Sequence, residues 1–146
     1  MTTRPTSVSA HVQFRLLVPD TAALPVRADL RYDACDPYAV QISFHTGSES
    51  RGDVVQWTFA RQLLSSGVAA PAGEGDVKVW PSPGSGPAVV CLALSSPSGR
   101  ALFEVPLIDL VQFLSQTYEA VPSGAESAHV DVDAELALLL WAEPET

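Results

Sequence analysis

The 146-residue sequence has one lysine, two cysteines and, after Arg100, no basic residue at all. Each scarcity excludes something. The basic residues are Arg4, Arg15, Arg27, Arg31, Arg51, Arg61, Lys78 and Arg100, set against seventeen acids for a net charge of −9. Residues 1–100 balance eight bases with eight acids, so the whole imbalance falls on residues 101–146, which hold nine acids. Binding to nucleic-acid phosphates needs clustered cations, and so does electrostatic attachment to an anionic membrane. This distribution opposes both. Cys35 and Cys91 form neither a disulfide framework nor a CxxC site. Both lie among apolar neighbours, as buried free thiols do. The longest apolar runs, Ala88–Leu94 and Leu136–Ala142, are far too short to span a bilayer. The opening MTTRPTSVSAHV lacks the cation-then-apolar order of a secretory signal. The expectation is a soluble, cytoplasmic protein folded as a single domain over residues 1–146, with its core at about 8–140.

What is present is periodicity. Val8, Ala10, Val12, Phe14, Leu16 and Val18 alternate with polar residues, Leu17 being the exception. Leu24–Tyr32, Val40–Phe44 and Val55–Phe59 repeat the pattern, which is that of strands with one buried face. Phe59–Ser66 then changes to helical spacing, and Gly67 suits a helix C-terminus with positive φ. Asp76–Trp80, Ala88–Leu94 and Arg100–Val105 predict three more strands, the second of them buried on both faces. Pro106 can open a helix at its first position, with Leu107, Leu110, Val111, Leu114 and Tyr118 as its apolar stripe. A last helix is expected after Asp131 or Asp133, ending at Pro144. The predicted class is α+β, built from antiparallel β-meander plus helix units.

Few residues offer chemistry. His129, Asp131 and Asp133 would share one face of a strand, the placement of nitrogen and oxygen ligands of a metal. A solvated acidic face feeding a helix N-terminus is the favoured reading. Asp33 and Asp36 flank Cys35, but Asp36-Pro37 is a turn signal, and two carboxylates oppose a reactive thiolate. Trp57 sits on the apolar phase of its strand and predicts core. Trp80 falls on the polar phase beside Pro81 and predicts an exposed contact. These residues favour a binding or assembly module over an enzyme, with no catalytic group, metal or cofactor.

Six blocks in order carry a resemblance: RYDACDPYAV (31–40), FHTG (44–47), VQWTFARQLLSSGV (55–68), GEGDVKVWPS (73–82), VVCLALSSPSGRALFE (89–104) and DVDAEL (131–136). Together they resemble the SsgA-like proteins, small actinobacterial regulators of sporulation-specific cell division. The resemblance implies a fold similar to that of the whirly-type single-stranded nucleic-acid-binding proteins, and assembly as a homotrimer. It implies recruitment or positioning of FtsZ at the cell division septum together with an SsgA-type protein, with the membrane reached only through protein partners. The matching positions Asp36, Pro37, Tyr38, Trp57, Arg61, Trp80 and Pro81 would be structural or interfacial. The alternative, a single-stranded nucleic-acid-binding module, is opposed by the scarcity of cations.

Overall fold

In the computed structural model, which describes residues 7–19, 22–45, 54–83, 86–97 and 99–126, the period-two segments are strands. They are β1 (Ser7–Leu16), β2 (Leu24–Asp33), β3 (Ala39–His45) and β4 (Val54–Ala60). A helix α1 (Arg61–Gly67) follows, then β5 (Val77–Ser82), β6 (Val89–Ser96), β7 (Gly99–Pro106) and a second helix α2 (Leu107–Ala120). All pairings are antiparallel, in a single sheet of order β4-β3-β2-β1-β7-β6-β5. Two meander–helix units are thus present. The helix expected after Asp131 or Asp133 lies outside the described residues.

Alternation decides which face is inside. Phe14, Leu30, Ile42, Phe44, Val90, Leu92 and Val105 point inward and are fully buried, each stabilising the fold by about 2 kcal/mol. Phe14 meets Phe44 edge-on at 5.3 Å, and Phe44 stacks on Phe103 at 4.4 Å, joining the first unit to the second. The seam between the units is otherwise short. β1 pairs with β7 only at Arg15–Glu104 and Leu16–Phe103, extended by the Leu17 amide donating to the Leu102 carbonyl at 2.9 Å.

The sheet curls strongly. β4 and β5 are its opposite edges, yet α1 packs against both, which closes the sheet into a half-barrel around the helices. The helices also cross over. α1, which ends the first unit, packs chiefly on β5, and α2, which ends the second, packs chiefly on β1. The β5 edge is covered by Ala72, whose backbone exchanges both hydrogen bonds with Val79 at 2.8 and 2.9 Å.

Four expectations change. Phe59 and Ala60 end β4 and do not begin α1. Gly67 is helical and buried, and its φ is not positive. A Cβ there would overlap Val79, so the position is glycine to let α1 approach β5. β6 is buried fully on its inner face, but on its outer face only Cys91 is buried while Ala93 and Val89 are half-buried. Pro106 is the N-cap of α2, and its buried stripe is Leu110, Phe113, Leu114, Thr117 and Ala120, with Val111 exposed. Thr117 can occupy that stripe because its hydroxyl donates to the Leu114 carbonyl at 2.7 Å.

Candidate functional site

Arg61 is the hub of the inner face. It is the first residue of α1 and only 1% exposed, so its charge must be met inside the protein. Its guanidinium donates to the carbonyls of Thr117 (3.0 Å) and Val121 (2.8 Å) and to Glu126 Oε2 (2.7 Å). It also lies over the rings of Tyr118, at 4.0 Å, and Tyr32, at 5.0 Å. The two carbonyls are at the C-terminal end of α2, where the helix dipole favours a cation. Glu126 has its carboxyl held below the usual range by its own backbone N–H and by Arg61. Tyr32 has its phenol pushed up by burial.

The predicted DPYAV turn joins this hub. The Tyr32 hydroxyl donates to the Pro37 carbonyl at 3.0 Å, and the Arg61 amide donates to the Tyr38 carbonyl at 2.7 Å. Pro37 is buried, while Asp36 and the Tyr38 side chain are exposed. The turn is held by Asp33, whose Oδ1 accepts from the Cys35 amide at 2.9 Å while its carbonyl accepts from the Asp36 amide at 2.9 Å. The side-chain bond of the turn thus comes from Asp33. Cys35 is exposed, not buried as its neighbours predicted; it follows the buried Ala34 into the turn. Cys91 is buried, and burial followed by the Glu104 charge raises its thiol pKa.

Trp57 lies apart from the hub, half-buried on the inner face of β4 and stacked near Phe59 with ring centres 6.3 Å apart. Trp80 and Pro81 lie on β5 at the far side of the sheet, so the structure brings Asp36, Pro37, Tyr38 and Arg61 together and leaves the two tryptophans separate. His129, Asp131 and Asp133 lie outside the described residues.

The outer face is polar. Arg15, Arg27, Arg31, Lys78 and Arg100 all project there by strand alternation, against Asp29, Asp33 and Glu104. The Asp29 carboxylate bridges two imidazoles, His11 Nδ1 at 2.5 Å and His45 Nε2 at 2.8 Å. The hydrogen bonds from His45 and then His11 lower its pKa. Beside β1, β7, β6 and β5 this face is indented by a cleft of about 640 Å³. Its floor is Ala93 and Leu102, its apolar walls are Trp80 and Leu17, and Lys78 and Arg100 stand at its rim. The cleft went unread in the sequence, although period two already sets Lys78 and Trp80 on one face. Trp80 lies on the outer face, as its polar phase predicted, but is half-buried and not exposed. Among the described residues, no helix is long and apolar enough to cross a membrane.

Residues 26–126 match the family model described as Streptomyces sporulation and cell division protein, SsgA. The chain is 57% identical over 145 residues to the sporulation-specific cell division protein SsgB of Frankia casuarinae, covering 99% of each. It is 52% identical over 135 residues to the SsgB of Streptomyces coelicolor, covering 92% of this chain and 96% of that one. Among solved structures it is similar to the SsgA-like sporulation-specific cell division protein of Thermobifida fusca. That match has a TM-score of 0.81 at 44% identity and covers 94% of this chain and 98% of the other.

Proposed function

The chain belongs to the SsgA family of sporulation and cell division proteins, and on that premise we propose that it is a non-enzymatic regulator of sporulation-specific septation that recruits or positions FtsZ. The observation that carries the reading is identity spread over essentially the full length of relatives named for sporulation-specific cell division. In this reading the protein works as a homotrimer beside an SsgA-type protein, in the cytoplasm at the division septum, and meets the membrane only through its partners. The seven residues Asp36, Pro37, Tyr38, Trp57, Arg61, Trp80 and Pro81 then divide by role. Arg61 holds the two units together, Pro37 fixes its turn to Tyr32 within the first unit, and Trp80 offers contact area.

The chemistry of the buried groups supports a regulator. Among the described residues the one buried cation, Arg61, has its hydrogen bonds committed to structure. The buried thiol of Cys91 is pushed away from the thiolate that nucleophilic work needs. Co-sedimentation of the purified protein with FtsZ polymers tests the reading: enrichment in the pellet is expected, and absence of both binding and any effect on polymerisation overturns the FtsZ step. Light scattering tests the trimer, for which a 15.5 kDa species is the contrary result.

A further inference from the structure

We infer that the outer-face cleft between Lys78 and Arg100 binds an extended acidic segment of a protein partner, of the pattern acid-x-apolar-x-acid. The inference deepens the proposed function and rests on it for the existence of a protein partner.

The argument begins with charge. In a chain of net charge −9, Lys78 and Arg100 are exposed, and among the described residues neither makes an ion pair. Glu104, the acid of the neighbouring row, faces Arg15 at 3.9 Å. The two rim cations thus present positive charge beside an apolar floor, and a carboxylate is their natural complement.

Geometry then fixes the spacing. Lys78 pairs across to Ala93, Ala93 pairs to Leu102, and Arg100 lies two residues before Leu102 on β7. Two strand spacings and two residues of rise place the two Cα atoms about 12 Å apart. In an extended peptide, residues i, i+2 and i+4 share one face, and i to i+4 spans about 13 Å. Carboxylates at i and i+4 therefore reach both cations while the i+2 side chain descends onto Ala93 and Leu102. Trp80 and Leu17 close the sides with apolar surface. A single strand of nucleic acid fits less well, because its regular phosphates want a continuous basic track and several stacking rings, and among the described residues Trp80 is the only aromatic lining the cleft.

The test is fluorescence anisotropy of the full chain with a labelled peptide GSDSLSDSG, beside the same peptide carrying asparagine for both aspartates. The asparagine peptide is expected to bind at least tenfold more weakly. The double variant Lys78→Glu, Arg100→Glu is expected to lose at least tenfold in affinity for the aspartate peptide, and Trp80→Ala at least threefold. Lys78 and Arg100 are exposed and Trp80 is half-buried, and circular dichroism verifies that the variants fold. Equal binding of the two peptides, unchanged affinity in the double variant, or no binding at millimolar peptide overturns the inference. So does tighter binding of an oligothymidine, which assigns the cleft to nucleic acid, or a fall in solution mass in the double variant, which assigns it to a second copy. FtsZ co-sedimentation runs in parallel. Peptide binding without FtsZ binding overturns the proposed function and leaves the cleft standing. FtsZ pelleting equally with wild type and double variant overturns the cleft as the FtsZ site and leaves the function standing.

Discussion

The two faces of the sheet use arginine and lysine in opposite ways. Inside, Arg61 satisfies two helix-end carbonyls, one carboxylate and two aromatic rings. Outside, Arg27, Arg31, Lys78 and Arg100 make no ion pair among the described residues, and Arg15 makes only a 3.9 Å contact with Glu104. A charge taken out of water must be fully partnered by the protein itself, whereas a charge left in water keeps its capacity for another molecule. The same residue type therefore reads as scaffold on one face and as recognition on the other.

That contrast can be broken by substitution. Arg61→Met removes the hub, leaving the α2 carbonyls and Glu126 without their donor. We expect a loss of about 3 kcal/mol, seen as a fall in Tm of about 10 °C by calorimetry. An unchanged Tm would mean that the inner cation is dispensable. Gly67→Ala forces a methyl into Val79 at the α1–β5 contact and should cost about 2 kcal/mol in urea titration. On the outer face, Lys78→Glu with Arg100→Glu should change stability by less than about 0.5 kcal/mol, because both groups are solvated. A large loss of stability there would erase the distinction between the faces.

The smallest effect concerns acid. His45 and His11 hold the Asp29 pKa down, so the pair of hydrogen bonds stabilises the fold above the ordinary carboxylate range, and that stability disappears as pH falls through the lowered value. Asp29→Asn should thus differ from wild type at pH 6, and the difference should vanish only once pH falls below the lowered Asp29 value. Because Asp29 is well exposed, the difference should stay under about 0.5 kcal/mol in parallel melts.

The strands were legible because a sheet with one wet face must alternate, and every expected strand is present. The family was legible too, since the six blocks resemble the same SsgA family that the family model matches. The second helix was legible in extent and in part of its face: Leu110 and Leu114 are buried and Leu107 and Tyr118 pack half-buried against the core, whereas Val111 is exposed and the buried Phe113 and Thr117 were missed. Leu107, Val111 and Tyr118 fit helical spacing as well as Phe113 and Thr117 do, and only the packing against β1 chooses between the stripes. Gly67 was misread because a glycine at a helix end has two physical uses, a left-handed turn or a close approach, and the neighbour that decides is Val79 on β5. The role of Arg61 was illegible because its partners Thr117, Val121 and Glu126 stand 56, 60 and 65 residues away in sequence.

The crossing of the helices has a consequence for how the chain reaches this state. The strand β1 ends up in the middle of the sheet, paired with β7 and covered by α2. During synthesis the first four strands emerge with one edge unpaired and one apolar face bare, and they stay so until residues near 100–120 arrive. Such long-range closure slows folding and leaves a sticky intermediate on the ribosome. Truncations before α2 should therefore aggregate and fail to yield a smaller working domain, and co-translational chaperones should matter more to this protein than its modest length suggests.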